Sequence, residues 1–240
     1  MIVTAPNKII LTEKKMGSKA LQSLYPDAFT NFDFNNYHLT APVTEDLIRK
    51  VVKKEDSRLY IYIRKPNRKL ISGITQAIKS TDNLTTRLTI RHIAPQLFPD
   101  PVDYLTKYAR SNELKNTYAD LIQQAFHILL LDKHLSFNYY SYVNYLVHRL
   151  KDNIEKITFI DIDHTTVENR KYLEDIKVLN PIITNTSFNI YDIFWLDDGN
   201  VKPITENFLQ PFQMIWSSLK LNYSHRWSSN PDYIDDTSRS

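Results

Sequence analysis

Apolar positions along this chain recur with two periods, and the switch between them sets the predicted elements. A first strand is expected over 8–13, leading into a basic, glycine-containing turn, with a helix expected over 18–24. Residues 36–40 read as the end of a second strand, and Leu47, Ile48, Val51 and Val52 then follow helical spacing with Thr44 as the expected N-cap. Leu59-Tyr60-Ile61-Tyr62-Ile63 is an apolar, β-branched and aromatic run of strand length, and Pro66 marks the first position of a helix. Residues 82–112, with Pro95, Pro99 and Pro101, predict surface excursions carrying short helices. Leu114, Tyr118, Leu121, Ile122, Ala125 and Leu129 trace one face of a strong helix. Tyr139, Tyr142, Val143, Leu146, Val147 and Leu150 trace another, with Asn138 near its start. A strand over 157–162 and a helix over 167–176 follow. This alternation predicts an α/β fold: three layers, with a mainly parallel sheet carrying helices on both faces. One domain over 1–227 is expected, with 228–240 as a polar, flexible tail.

Composition narrows the class. With 42% hydrophobic residues among 240, the chain can bury a core, and global disorder is excluded. A net charge of +3 is too weak to imply a nucleic-acid partner. The absence of cysteine excludes a disulfide framework and a thiolate metal site. Residues 1–8 lack the apolar core of a signal peptide, and no run reaches transmembrane length, so a cytoplasmic protein without a membrane partner is expected.

The candidate chemistry begins with Arg64-Lys65-Pro66-Asn67-Arg68-Lys69-Leu70-Ile71-Ser72-Gly73. Arg64 ends a strand, which is where open α/β sheets hold their ligands, and Ser72 follows about two helical turns later. A guanidinium fork and a hydroxyl suit a phosphate monoester. The alternative is a surface helix start with solvated basic residues. Upstream, Lys14-Lys15-Met16-Gly17-Ser18-Lys19-Ala20 turns from strand to helix, and backbone N–H groups at such a turn can cradle anionic oxygens. It is not a Walker A loop, because the G-x-x-x-x-G-K-[ST] pattern is absent.

Together these segments resemble the sulfotransferases that use 3′-phosphoadenosine 5′-phosphosulfate (PAPS). Arg64, Arg68 and Ser72 match the family's 3′-phosphate motif, with Lys65 where an Asp is frequent. Lys15, Gly17 and Ser18 match its 5′-phosphosulfate loop, with Lys14 in place of a common Pro and Lys19 in place of a common Ser or Thr, followed by Ala20. The resemblance spans about residues 8–190 in order of elements, but its specific motifs are these two. It implies a P-loop-like nucleotide-binding core, PAPS as sulfuryl donor, adenosine 3′,5′-bisphosphate as product and no required metal. It also implies a small-molecule or glycan acceptor, and a bacterial or viral relative rather than a membrane-anchored Golgi member.

The same resemblance suggests the remaining roles. Lys15 would neutralise charge on the bridging oxygen. His38, between the two phosphate motifs, is the preferred general base, with Glu45 and Asp33 as alternatives. Asp132 and His134 are similar to a D-x-H segment beside the family's acceptor cleft, although they also suit a charged helix C-terminus. His92, ahead of Pro95-Gln96, competes for the acceptor role. Asp161, Asp163 and His164 could ligate a cation, but they are read instead as an acidic strand end. The tyrosines of 139–145 could stack on sugars, though their helical spacing favours core packing. Two other functions stay open: a nucleotide-dependent kinase of the P-loop class, and a non-catalytic binding protein on a nucleotide fold.

Overall fold

The structure is a computed structural model that describes residues 1–5, 7–34, 41–79, 136–163 and 203–228. The chain forms two compact units. The first comprises Met1–Lys65, Phe137–Thr184 and Phe212–Ser240, and the second Pro66–Ser136 and Asn185–Pro211.

The first unit is built on a five-stranded sheet of order β3-β1-β2-β4-β5. β1 (Ile2–Ala5) and β2 (Lys8–Leu11) pair antiparallel, with Ile2 opposite Leu11 and Ala5 opposite Lys8. Two residues separate these strands, which allows a hairpin but not the long crossover that a parallel pair requires. β3 (Phe29–Thr30) adds to β1 antiparallel. β4 (Arg58–Ile63) then pairs parallel with β2, and β5 (Ile157–Asp161) parallel with β4. The sheet is therefore mixed, where the sequence predicts a mainly parallel one. The difference lies in β1 and β3, which the sequence pattern does not announce.

Successive strand side chains point to opposite faces. On one face Val3, Ile10, Tyr60, Tyr62 and Ile160 form a buried cluster that Leu21 of α1 (Ser18–Leu24) completes. On the opposite face Phe159 stacks on Trp227 at 5.2 Å between ring centroids. Trp227 pairs beside Phe159 as a parallel bridge, and the Ser228 N–H donates to the Phe159 carbonyl at 2.9 Å. A side chain from elsewhere in the sequence thus covers each face of β5.

α2 (Ala41–Lys53) buries Leu47 and Val51, as their spacing predicts. It starts at Ala41, so Thr44 is not its N-cap. Thr44 is buried within the helix, and its hydroxyl shares a 3.1 Å hydrogen bond with that of Tyr142. At the other end Lys156 Nζ donates to the carbonyls of Val51, Val52 and Lys54 at 3.2, 3.3 and 3.0 Å. A cation there satisfies acceptors that a helix terminus leaves open. The tyrosine-rich segment forms α4 (Asn138–Arg149), with Tyr139, Tyr140, Tyr142, Val143, Leu146 and Val147 buried. Its tyrosines pack in the core, as the spacing favours, with Phe34 edge-on to Tyr139 at 4.9 Å.

In the second unit α3 (Pro66–Lys79) begins at Pro66, as expected. Asn67 Oδ1 accepts from the Arg68 N–H at 2.6 Å, and the buried Lys69 donates to the Ser136 carbonyl. α5 (Pro203–Asn222) contributes residues to both units. No element is predicted there, yet Pro203 at its first position and the spacing of Leu209, Phe212, Trp216 and Leu219 carry a helical signal. The strand end expected at 36–40, the helices over 114–129 and 167–176, the excursions of 82–112 and the tail from 229 onward lie outside the described residues. Among those described, no helix is long and apolar enough to cross a membrane.

Candidate anion site at the carboxyl edge of the sheet

Register brings three strand ends together. Leu11 pairs with Ile61, and Ile63 with Asp161, so the segments that follow β2, β4 and β5 leave the same edge of the sheet. The Ile162 N–H extends this alignment by donating to the Ile63 carbonyl at 3.1 Å. In an open α/β sheet, the carboxyl ends of parallel strands form the expected ligand side.

The segment after β2 is a tight loop. The Met16 N–H donates to the Glu13 carbonyl at 3.0 Å, and Thr12 Oγ1 donates to the Met16 carbonyl at 2.6 Å. Lys15 and Gly17 both take left-handed backbone conformations, with φ of 68° and 80°. Such φ values favour glycine and are unusual for lysine. Lys15 and Gly17 are half-buried and Ser18 is buried at the start of α1. Lys19 and Ala20 lie within the same helix.

The segment after β4 places Arg64 against this loop. Arg64 Nη1 donates to the Lys15 carbonyl at 3.3 Å, joining residues 49 positions apart. Arg64 Nε donates to Asp163 Oδ1 at 2.8 Å. The second oxygen of Asp163 accepts from the Lys65 N–H at 3.0 Å. The Asp163 N–H in turn donates to Asp161 Oδ1 at 3.2 Å. Asp161 is buried and lies 3.5 Å from Lys220 Nζ, which sits 4.9 Å from the Trp216 ring centroid and 5.3 Å from that of Trp227.

Two phenols of α4 hold the strand ends from behind. Tyr139 Oη shares its one proton between the Tyr62 carbonyl at 2.6 Å and the Leu11 carbonyl at 3.2 Å. Tyr140 Oη donates to the Arg64 carbonyl at 2.7 Å. Burial, and after it the charge of Glu13, pushes both phenols well above their ordinary titration range, so they remain neutral donors.

Of the residues singled out by sequence, the loop of Lys15, Gly17 and Ser18 and the strand-end Arg64 share this edge. Arg68, exposed, and Ser72, half-buried, lie on α3 in the second unit. His38, His92, Asp132, His134 and His164 lie outside the described residues. Glu45, the alternative base, is exposed on α2 and pairs with Arg149 at 2.9 Å. Asp33 is exposed just before Phe34. Asp161 and Asp163, weighed as cation ligands, instead pair with Lys220 and Arg64. Among the described residues no group of three or more His, Cys, Asp or Glu side chains could hold a metal ion. Sequence reasoning misses Asp163 as the partner of Arg64. The signal available was its place just past a third strand-like run, which becomes specific once β5 is known to lie beside β4.

No family model, no curated protein and no solved structure matches this chain.

Proposed function

We propose that the chain is a PAPS-dependent sulfotransferase that moves a sulfuryl group to a hydroxyl of a carbohydrate. The observation that carries this reading is the 3.3 Å bond from Arg64 Nη1 to the Lys15 carbonyl. It joins two motifs that are distant in sequence, each following one of two adjacent parallel strands. A phosphate-reading arginine beside a phosphosulfate loop is what a donor with phosphates at both ends of its ribose requires.

The residues present fit such a donor. A guanidinium has five N–H donors, and among the described residues Arg64 directs two of them to Asp163 and Lys15, which leaves others for phosphate oxygens. In this reading Arg64 takes the 3′-phosphate. Lys15, Gly17, Ser18, Lys19 and Ala20 form the phosphosulfate loop, and Lys15 counters charge near the bridging oxygen. PAPS supplies the activated sulfuryl group. His38 is assigned the acceptor proton and Asp132, His134 and His92 acceptor binding, as the resemblance implies. The reading carries with it a P-loop-like core centred on β2, β4 and β5, a cytoplasmic setting, and no metal or nucleic-acid partner.

A ligand that binds only the native state raises the melting temperature. Adenosine 3′,5′-bisphosphate should therefore raise Tm well above the shift given by ATP at equal concentration. A larger shift with ATP favours the kinase alternative and overturns the proposal. Sulfate transfer to members of a glycan panel separates an enzyme from a binding protein.

A further inference from the structure

The Arg64 side chain is already committed at two points, Nε to Asp163 and one Nη1 hydrogen to the Lys15 carbonyl. We propose that Asp163 is the positioning residue for Arg64, fixing its Nε edge so that the Nη1–Nη2 end meets two oxygens of a phosphate monoester. This rests on the sulfotransferase reading for the identity of the ligand, but its geometry stands on the described contacts.

An aspartate held through Arg64 alone would be an internal competitor, displaced by any incoming anion. Asp163 is held in three ways. Oδ1 accepts from Arg64 Nε at 2.8 Å, Oδ2 accepts from the Lys65 N–H at 3.0 Å, and its own N–H is bonded to Asp161 Oδ1 at 3.2 Å. Asp161 is in turn fixed by burial and by Lys220 at 3.5 Å. The Arg64 and Asp163 side chains are 20% and 14% exposed, too sheltered for a transient surface pair. A carboxylate anchored to the Lys65 backbone, on a residue whose own N–H is held by the Asp161 side chain, orients the guanidinium instead of vacating it. With Nε on Asp163 and one Nη1 hydrogen on the Lys15 carbonyl, bidentate recognition falls to the remaining Nη1 and Nη2 hydrogens, a geometry that suits two oxygens of one tetrahedral group.

The test compares wild type, Asp163→Ala, Asp163→Asn, Arg64→Ala and the Arg64→Ala/Asp163→Ala double variant. Each is titrated with adenosine 3′,5′-bisphosphate and with adenosine 5′-phosphate, and the Arg64 Nε–H is followed by NMR hydrogen exchange. Loss of a charge-assisted hydrogen bond predicts roughly ten- to a hundredfold weaker bisphosphate binding for Asp163→Ala, with 5′-phosphate binding unchanged. Asp163→Asn keeps one acceptor for the Nε–H and should fall between the two. The double variant should bind no more weakly than Arg64→Ala, because Asp163 acts through Arg64. The Nε–H should be protected in wild type and exchange freely in Asp163→Ala. Bisphosphate binding that is unchanged or tighter in Asp163→Ala, or losses that add in the double variant, overturns the positioning role. Where Asp163→Ala does not fold, an Asp163→Asn protein indistinguishable from wild type in both affinity and exchange overturns it as well. A wild type that binds neither nucleotide overturns the sulfotransferase reading and this ligand assignment. An Nε–H still protected without the carboxylate overturns the positioning role whatever the nucleotides do.

Discussion

Tyr139 Oη donates to the Tyr62 carbonyl at 2.6 Å and reaches the Leu11 carbonyl at 3.2 Å, so one buried phenol ties the carboxyl ends of two adjacent parallel strands. The next residue, Tyr140, bonds the Arg64 carbonyl at 2.7 Å and extends the tie to the residue that enters the candidate site. Helix α4 therefore links the packing of the core to the placement of Arg64.

Tyr139→Phe tests this tie. The ring still packs, but the buried Tyr62 and Leu11 carbonyls lose the one proton they share, a change that costs about 1–3 kcal/mol. Tyr145→Phe serves as the control, because Tyr145 is exposed on the same helix and should change stability by no more than about 0.5 kcal/mol. Urea unfolding of the two variants checks the difference. Equal midpoints would remove the tie from the account.

Gly17→Ala tests the loop after β2. A Cβ at this position would meet the Tyr62 ring at 3.8 Å, an ordinary contact, so space is not the constraint. The φ of +80° is the constraint, and it disfavours any L side chain by about 1–2 kcal/mol. A thermal melt should show a lowered Tm. An unchanged Tm would mean that the loop relaxes out of the left-handed conformation at little cost.

Stability should also rise with pH between about 5 and 8. Burial pushes the Met1 α-amino group down from 8.0 to about 5, and the nearby charges of Glu13 and Lys14 act in opposite directions. Within that window the unfolded amine is protonated and the folded one is not, so the unfolded state binds more protons. The stabilisation is complete above the unfolded value and is lost as pH falls through about 5. A shift of this size corresponds to a few kcal/mol, on the order of 1.4 kcal/mol per pH unit. Urea unfolding at pH 5 and pH 8 measures the slope, and N-terminal acetylation should remove this part of it. An acetylated chain with the same slope would assign the dependence to other groups.

Lys15→Ala and His38→Ala separate binding from chemistry in the proposed reaction. Both should leave the affinity for adenosine 3′,5′-bisphosphate within a few fold of wild type, while His38→Ala slows sulfate transfer about a hundredfold or more. Lys15→Ala should lower the single-turnover rate more than it lowers affinity, because charge on the bridging oxygen grows mainly in the transition state. Normal turnover in His38→Ala would move the search to His134 or Glu45. An unchanged single-turnover rate with weaker affinity in Lys15→Ala would move it to Lys14 or Lys19.

Elements with a strong local period are the ones that were legible in the sequence. Leu59–Ile63 reads as a strand because five apolar residues stand between polar flanks, and α4 reads as a helix because its buried positions keep helical spacing. β1 escapes because four residues carry too little pattern, although the two-residue gap before β2 fixes the pairing as antiparallel once both strands exist. Thr44 misleads because a threonine before an apolar run looks like a cap; Tyr142, which bonds its hydroxyl instead, lies 98 residues away. The same limit applies to the site. Arg64 is legible from the strand before it and the proline after it, whereas Asp163 becomes its partner through strand order, which no local window contains.

The central claim is that Arg64 reads the 3′-phosphate of the donor, and calorimetric titration of wild type and Arg64→Ala tests it most directly. Arg64→Ala should bind adenosine 3′,5′-bisphosphate more weakly by about 2 kcal/mol or more, and adenosine 5′-phosphate as wild type does. Equal losses for the two nucleotides, or no loss for either, would contradict the claim.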